Sequence, residues 1–505
     1  MMRRVFLAPA MIAALVMPPL GTARADDWLH FARNAERRSM TTGAPAQLSI
    51  QLWLAAENPP GSQIQFEWPS SPVVFDGRIF ANARQIVEGA HQSNKIVAFD
   101  AASGQVVFET VVDKAVRDSW SSPAVDAAHR AVILGSGSKL FSVDADDGVL
   151  NWACPLILPV VNASPAVADD LAHGRAFITD YTGFGDGGAL YCINTAAFDS
   201  ALNPYQPGQI VWQEPIGGSS GNTPAYSAGV VYVASNTGDN TGCEGQGHIR
   251  AFDVAAPAGQ RRMWSTCVQE GFFGGLCLAD GFVYAASYDF FGAGDNSTLA
   301  KLRAADGVVE WSVPCERTQS IPIVDGDRIY LAAGLPGFGS APKLQAFVDL
   351  GDSAMKLWDT YVDTGGALVV GGWSHQPVLA DGRLCAGAIP LVGFFGAYTD
   401  LYVLDATLSP ADPGFVMDHR VGMGSSPAIC AGRVYTLGDA GLHALALRGD
   451  FSADGALDGR DLQGMATAVL ESSPPASLIV LGDFDGDGEL TVDDIQGLID
   501  ELLGH

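Results

Sequence analysis

Ser71-Pro72-Val73-Val74-Phe75-Asp76-Gly77-Arg78-Ile79-Phe80, continued by Ile96-Val97-Ala98-Phe99-Asp100 and Ser103-Gly104, is one copy of a pattern that recurs along this chain. A Pro-led apolar strand, a tight Asp-Gly turn and an Arg/aromatic strand open it. A variable loop, a third strand ending near Asp, another turn and a Trp-bearing strand complete it. The anchoring position falls at Pro72, Pro123, Pro165, Pro224, Leu276, Pro322, Pro377 and Pro427, at spacings of 51, 42, 59, 52, 46, 55 and 50 residues. Four strands per unit at a period of about 50 residues predict a β-propeller, not a helical solenoid.

Each part of the copy has a physical reason. Asp76-Gly77, Asp280-Gly281 and Asp381-Gly382 supply the positive φ of a two-residue hairpin turn. The third strands, such as Ser142-Val143-Asp144 and Val403-Leu404-Asp405, alternate across a sheet, and their Asp leads into a turn closed by Gly104, Gly148 or Gly307. Trp152, Trp212, Trp264, Trp311 and Trp358 are large enough to fill the gap between blades. The eighth copy stops at Gly441-Leu442-His443-Ala444-Leu445 without its Trp strand, and Leu48-Ser49-Ile50-Gln51-Leu52-Trp53 supplies one. Pairing first and last strands removes two exposed edges. The expectation is a mainly β chain: an eight-bladed propeller over residues 26–447, closed by an N-terminal strand.

Composition excludes several classes. With 48% hydrophobic residues among 505, the chain is no disordered polymer. The 56 acidic against 28 basic residues argue against nucleic-acid and anionic-membrane partners. Residues 1–25 read as an export signal: Arg3 and Arg4, an apolar run to Leu20, and Ala23-Arg24-Ala25 as the cleavage site. Cleavage near Ala25 leaves 25 basic residues and a net charge of −31, in a secreted or periplasmic protein. No later segment is long and apolar enough to span a bilayer. Some of the eight cysteines are expected to pair, and none shows zinc spacing.

The SSP-x-V-x-DG-R-Y strand pair with its L-x-A-x-D-A-x-x-G-x-x-x-W continuation resembles the pyrroloquinoline-quinone (PQQ) repeat family. That family holds quinoprotein alcohol dehydrogenases and a non-enzymatic outer-membrane assembly lipoprotein. The resemblance implies, for the dehydrogenase branch, a disulfide of adjacent cysteines over the cofactor, acidic Ca²⁺ ligands and an Asp base. This sequence has no adjacent cysteines, so PQQ is disfavoured and no catalytic or cofactor-binding residue is assigned. What remains is a surface. Residues just before the anchors, Trp68, Trp120, Asn162, Ser220, Phe272, Phe273, Gln319, Trp373, His375 and Met423, are expected to ring one mouth of the channel. Aromatics among amides suit a carbohydrate or peptide ligand, while packing of the same aromatics between strands is the favoured reading.

The last 57 residues hold 13 acids and one base, Arg460. Their spacing points to cation binding. Asp483, Asp485, Asp487, Glu489 (through its carbonyl), Thr491 and Asp494 fall at positions 1, 3, 5, 7, 9 and 12 of an EF-hand-type Ca²⁺ loop, with Gly488 at 6 and Leu490 at 8. An upstream copy uses Asp450, Ser452, Asp454, Ala456 (carbonyl), Asp458 and Asp461. Each loop runs into the same helical opening, Asp461-Leu462-Gln463-Gly464-Met465 and Asp494-Ile495-Gln496-Gly497-Leu498. The pair resembles a type I dockerin over residues 448–505. That resemblance implies two Ca²⁺ ions and a cohesin-like extracellular partner. The positions that read cohesin in that family, 10 and 11, are Gly459-Arg460 and Val492-Asp493 here. Almost no linker separates Leu447 from Asp450, so the module is free to pack on the propeller. The reading favours a secreted, non-catalytic binding or scaffold protein. Its alternatives are an extracellular carbohydrate-active enzyme and, less favoured, a PQQ dehydrogenase.

Overall fold

The structure, a computed structural model, describes residues 27–504 except 56–63, 68, 169, 172, 184, 219, 237–246, 269, 289–293 and 392–399. The segment expected to be an export signal, Trp68 and Cys243 therefore lie outside the described residues. Eight sheets follow one another around a ring, their blade strands antiparallel and in chain order except in the eighth, while Met40–Thr41 adds a parallel strand to the seventh. Blade 1 uses Val73–Phe75, Arg78–Val87, Ala90–Asp100 and Val106–Val112. Blades 2 to 7 begin at Ala124–Asp126, Ala166–Ala168, Ala225–Ser227, Leu276–Ala279, Ile323–Asp325 and Val378–Ala380. Blade 8 takes Ala428–Cys430, Arg433–Gly438 and Gly441–Ala446 from the far end of the ring, and Ile50–Ala55 from its start.

That last pairing closes the ring as the sequence predicts. Gln51 pairs with Leu445, Trp53 with Ala444 and Ala55 with Leu442. Trp53 stacks on Tyr435 at 6.0 Å, and its indole N–H donates to the Ala101 carbonyl of blade 1 at 3.1 Å. The same bond joins Trp212 to Val254 and Trp264 to Ala304, so each indole staples its blade to the next. The turn glycines are explained by this contact. A Cβ on Gly104 would stand 2.5 Å from Trp53, and one on Gly307 2.4 Å from Trp264. Both glycines also have positive φ, 70° and 71°. Burying such a ring removes on the order of 200 Å² from water, about 5 kcal/mol as an upper estimate.

The inner rim is tied by hydroxyls and an amide just before the anchors. Ser71 N–H donates to Ser122 Oγ, Ser122 N–H to Ser164 Oγ, and Ser164 N–H to Thr223 Oγ1, at 2.9 to 3.1 Å. Across the ring, Ile321 N–H donates to Gln376 Oε1 and Gln376 N–H to Ser426 Oγ.

One element was not foreseen. Residues 27–48 form a strap along the inner strands, where the sequence supplied no periodic pattern. Trp28 exchanges two backbone hydrogen bonds with Val74 of blade 1. Val125, Tyr226, Leu278 and Leu379 donate their N–H groups to the carbonyls of Leu29, Ala35, Glu36 and Ser39. Val167 donates to His30 Nε2 at 3.1 Å. Inner strands are edges, with backbone donors that would otherwise lack partners, and the strap supplies acceptors in six of the eight blades. Arg37 is its pin. Wholly buried, its guanidinium donates to the carbonyls of Phe31, Ser164, Pro165 and Pro224, and burial lowers its pKa to about 9. Ala32, Arg33, Arg37 and Ser39 all have positive φ, a strain of about 1 kcal/mol each that the surrounding contacts hold in place.

Candidate functional site

Two places carry candidate chemistry: the channel mouth and the C-terminal loops. Several of the pre-anchor residues meet: Asn162, Phe273 and Gln319 around Gly221, and Trp120 with Trp373. A Cβ on Gly221 would meet the Phe273 carbonyl, Asn162 and Gln319, which come from three other blades. Trp120 and Trp373 meet edge to face at 5.5 Å, Trp373 lies 5.8 Å from Tyr288, and Tyr288 meets Phe273 edge to face at 5.5 Å. Leu335 and Ile389 complete this cluster. Trp120 is 8% exposed and Phe273 and Trp373 4% each. The aromatics therefore stack chiefly on one another. Phe272 belongs instead to the core between blades 4 and 5. His375 is buried against Gly387, and desolvation lowers its pKa to about 4, so it is neutral near pH 7. Gln319 stays half-exposed on the rim, its N–H donated to the Trp373 carbonyl. Tyr288, Leu335 and Ile389 went unnoticed in the sequence because they follow second strands, outside the pre-anchor register.

Cys267 is disulfide-bonded, with its partner outside the described residues. Cys154, Cys192, Cys277, Cys315 and Cys385 are buried free thiols. Burial pushes their pKa values up, to about 12 for Cys277 and Cys385, which suppresses the reactive thiolate.

The two C-terminal loops share one skeleton. In the first, Asp450 accepts the N–H of Gly455 at 3.0 Å, and Asp461 those of Ser452 and Asp458 at 2.8 Å each. In the second, Asp483 accepts the N–H of Gly488, and Asp494 those of Asp485 and Thr491. In both, position 1 binds position 6, and position 12 binds positions 3 and 9. Gly455 and Gly488 adopt φ of 78° and 85°, which position 6 requires. The helices that follow are α2 (Gly459–Val469) and α4 (Asp494–Leu503), counting Thr360–Asp363 as α1 and Ala476–Gly482 as α3. Phe451 and Phe484, at position 2, lie where Cβ atoms on Gly464 and Gly497 would stand, at 2.6 and 2.3 Å. Those helical glycines let each loop fold onto its own helix.

The loops differ in what faces their carboxylates. Ligand oxygens of Asp483, Asp485 and Asp487 lie within 4.8 Å of one another, a convergence that could hold a metal ion. In the first loop Arg460 pairs with Asp454 and Asp458, and Arg433 of blade 8 reaches the Asp450 carboxylate at 3.5 Å and its carbonyl at 3.1 Å. Burial raises the Asp450 pKa, while Arg433 opposes the rise. Arg433 was invisible as a partner because it repeats the post-turn arginine of several blades, such as Arg78, Arg175 and Arg383.

Comparison with known proteins gives the lineage. No curated protein matches the chain. Among solved structures, BamB from Moraxella catarrhalis is similar at 14% identity and a TM-score of 0.51, covering 76% of this chain and 95% of its own. Quinohemoprotein alcohol dehydrogenase from Comamonas testosteroni is similar at 12% identity and a TM-score of 0.54, covering 96% of both chains. Quinohemoprotein alcohol dehydrogenase ADHIIG from Pseudomonas putida HK5 is similar at 11% identity and 0.54, covering 83% of this chain and 76% of that one. At such identities these likenesses speak for the fold. A family model matches residues 50–197, 198–339 and 245–389. With its eight PQQ-like blades, the chain belongs to the family described as outer membrane protein assembly factor BamB.

Proposed function

We propose that this is an exported, non-catalytic propeller that serves as a binding or scaffold module and carries a calcium-stabilised, dockerin-like tail. One observation carries the non-catalytic reading: the aromatic side chains before the anchors pack on one another and the strap covers inner strand edges. Trp120, Phe273, Tyr288 and Trp373 pack on one another at the mouth, and the strap with Arg37 lines the inner strands. Propeller enzymes need axial space for a substrate or cofactor. The lack of adjacent cysteines supports the same reading.

The tail's donors fit Ca²⁺. All are oxygens, the second loop brings three carboxylates together, and both loops place Gly at the turn that aims carbonyl 7 inward. Asp483, Asp485, Asp487, Glu489, Thr491 and Asp494 would hold one ion, and Asp450, Ser452, Asp454, Ala456, Asp458 and Asp461 another. The ion would neutralise carboxylates that otherwise repel. A cohesin-like or other extracellular protein is the partner class for this module. The catalytic question is tested by incubating the purified chain with PQQ, Ca²⁺, an artificial electron acceptor and a panel of alcohols and sugars. No turnover is expected, and measured turnover overturns the scaffold reading.

A further inference from the structure

The C-terminal module does not hang from the ring; it sits across the joint where the ring closes. That joint has two sides, blade 8 from the late chain and the strap with strand Ile50–Ala55 from the early chain. The module touches both. Helix α3 packs on Ile50–Ala55, and Leu481 is buried in the same core as Trp53, Tyr435 and Leu445. Arg448 N–H donates to Ser49 Oγ at 2.7 Å, immediately before the closing strand. Gly449 N–H donates to the Leu481 carbonyl, which holds α3 down against that anchor.

The first loop makes the second set of contacts. It lies on the Ala431-Gly432 turn of blade 8 so closely that a Cβ on Gly432 would meet Ala453 and the Asp450 carboxylate at 2.7 Å. On the early-chain side, a Cβ on Gly455 would stand 2.5 Å from the Gly43 carbonyl of the strap. Arg433, the next residue of blade 8, donates to the Asp450 carbonyl. Asp450 is thus at once loop position 1 and the module's attachment to the ring.

From this geometry we infer that the module is a calcium-set staple over the ring closure. It rests on the calcium reading above and adds to it a direction of coupling. Cation binding folds the first loop and α2, and the folded loop presses strap, closing strand and blade 8 together. The surface spent on the ring, loop 1 and α3, is then closed to an external partner. Loop 2 and the outer ends of α2 and α4 remain, where Val492, Leu470 and Leu503 are exposed.

Hydrogen exchange on the full chain, followed by mass spectrometry in Ca²⁺ and in excess chelator, tests this. Chelation is expected to speed exchange in Gln51–Ala55 at least tenfold, together with α2 and α4. If the helices lose protection and Gln51–Ala55 does not, calcium folds the module but the staple is overturned. If neither region responds, the calcium reading fails and the staple with it. A pair of variants strains the contact; because a Cβ on Gly432 also meets the Asp450 carboxylate, the calcium dependence of α2 in each variant shows whether the first loop still takes up its ion. Gly432→Ala and Gly229→Ala strain equivalent Ala-Gly turns, of φ 66° and 84°, but nothing lies within 4 Å of a Cβ on Gly229. Only Gly432→Ala should abolish the calcium dependence at Gln51–Ala55. Equal behaviour of the two variants overturns the staple.

Discussion

The two C-terminal loops agree at six of twelve positions and share the hydrogen bonds from position 1 to 6 and from 12 to 3 and 9, yet they meet their negative charge differently. In the first, Asp450 and Asp461 are buried, and guanidinium groups from Arg433 and Arg460 stand against the acids. In the second, Asp485 and Asp487 are exposed, and among the described residues no ion pair meets the three converging carboxylates, the nearby Arg448 lying over Phe484 instead. The lesson is that a metal-loop motif specifies a backbone skeleton, while the surroundings decide how much of its charge awaits a cation. The first loop has exchanged part of that need for attachment to the ring. The second has kept it.

The most damaging way to break this contrast is to remove position 1 from each loop. Asp450→Ala deletes the acceptor for Asp454, Gly455 and Arg433 in a buried place. Leaving those donors without a partner is expected to lower the stability of the whole chain by about 2–3 kcal/mol. Asp483→Ala removes the acceptor of Gly486 and Gly488, both within its own loop. It should abolish calcium binding in the second loop and leave propeller unfolding unchanged. Differential scanning calorimetry with Ca²⁺ titration reads both, and an equal fall in propeller stability would erase the distinction. At position 5 and position 9, Asp487→Ala should lower tail helicity more than Asp458→Ala, because Asp487 belongs to the converging trio and Asp458 is paired with Arg460.

Acid separates the same two regions. His443 lies at the ring closure, its ring nitrogen 2.9 Å from Gln51 Oε1, and burial lowers its pKa from 6.5 to about 4. The unfolded chain therefore takes up that proton first. The stabilisation is complete above pH 6.5 and falls as pH drops toward 4, by about 1.4 kcal/mol per pH unit for each such group. His375 acts in the same window and direction, through its own burial. Denaturant unfolding between pH 7 and 5 should show the loss, and His443→Gln should flatten it. An unchanged slope in that variant would refute the assignment.

Much of this was legible in advance, for local reasons. The Asp-Gly turns, the Pro anchors and the Trp strands each answer a nearest-neighbour requirement, so eight blades and their closure by Trp53 follow from spacing. The loops are legible for the same cause, since ligand positions are fixed within 12 residues. The strap was not. Arg37 meets Pro224 and Ser39 meets Pro377, contacts 187 and 338 residues apart in a segment with no repeat to align. The mouth was half legible: spacing brought Trp120, Phe273 and Trp373 together, but not the partners they pack on. Arg433 was missed because one residue can satisfy the blade pattern and also serve another element.

The smallest expected effect sharpens the comparison most. Arg460 is exposed, and its guanidinium pairs with Asp454 and Asp458, at positions 5 and 9 of the first loop. An exposed pair contributes little to stability, because water and salt screen it. Arg460→Gln should leave thermal unfolding in chelator unchanged within error. It should still raise calcium affinity at the first loop severalfold, since a cation then enters without displacing a positive charge. The second loop, which has no such competitor, should keep its affinity, and the two sites should move closer together in an isothermal titration. If the affinities are unmoved, the guanidinium is a bystander. The difference between the loops then rests on Arg433 and the ring alone.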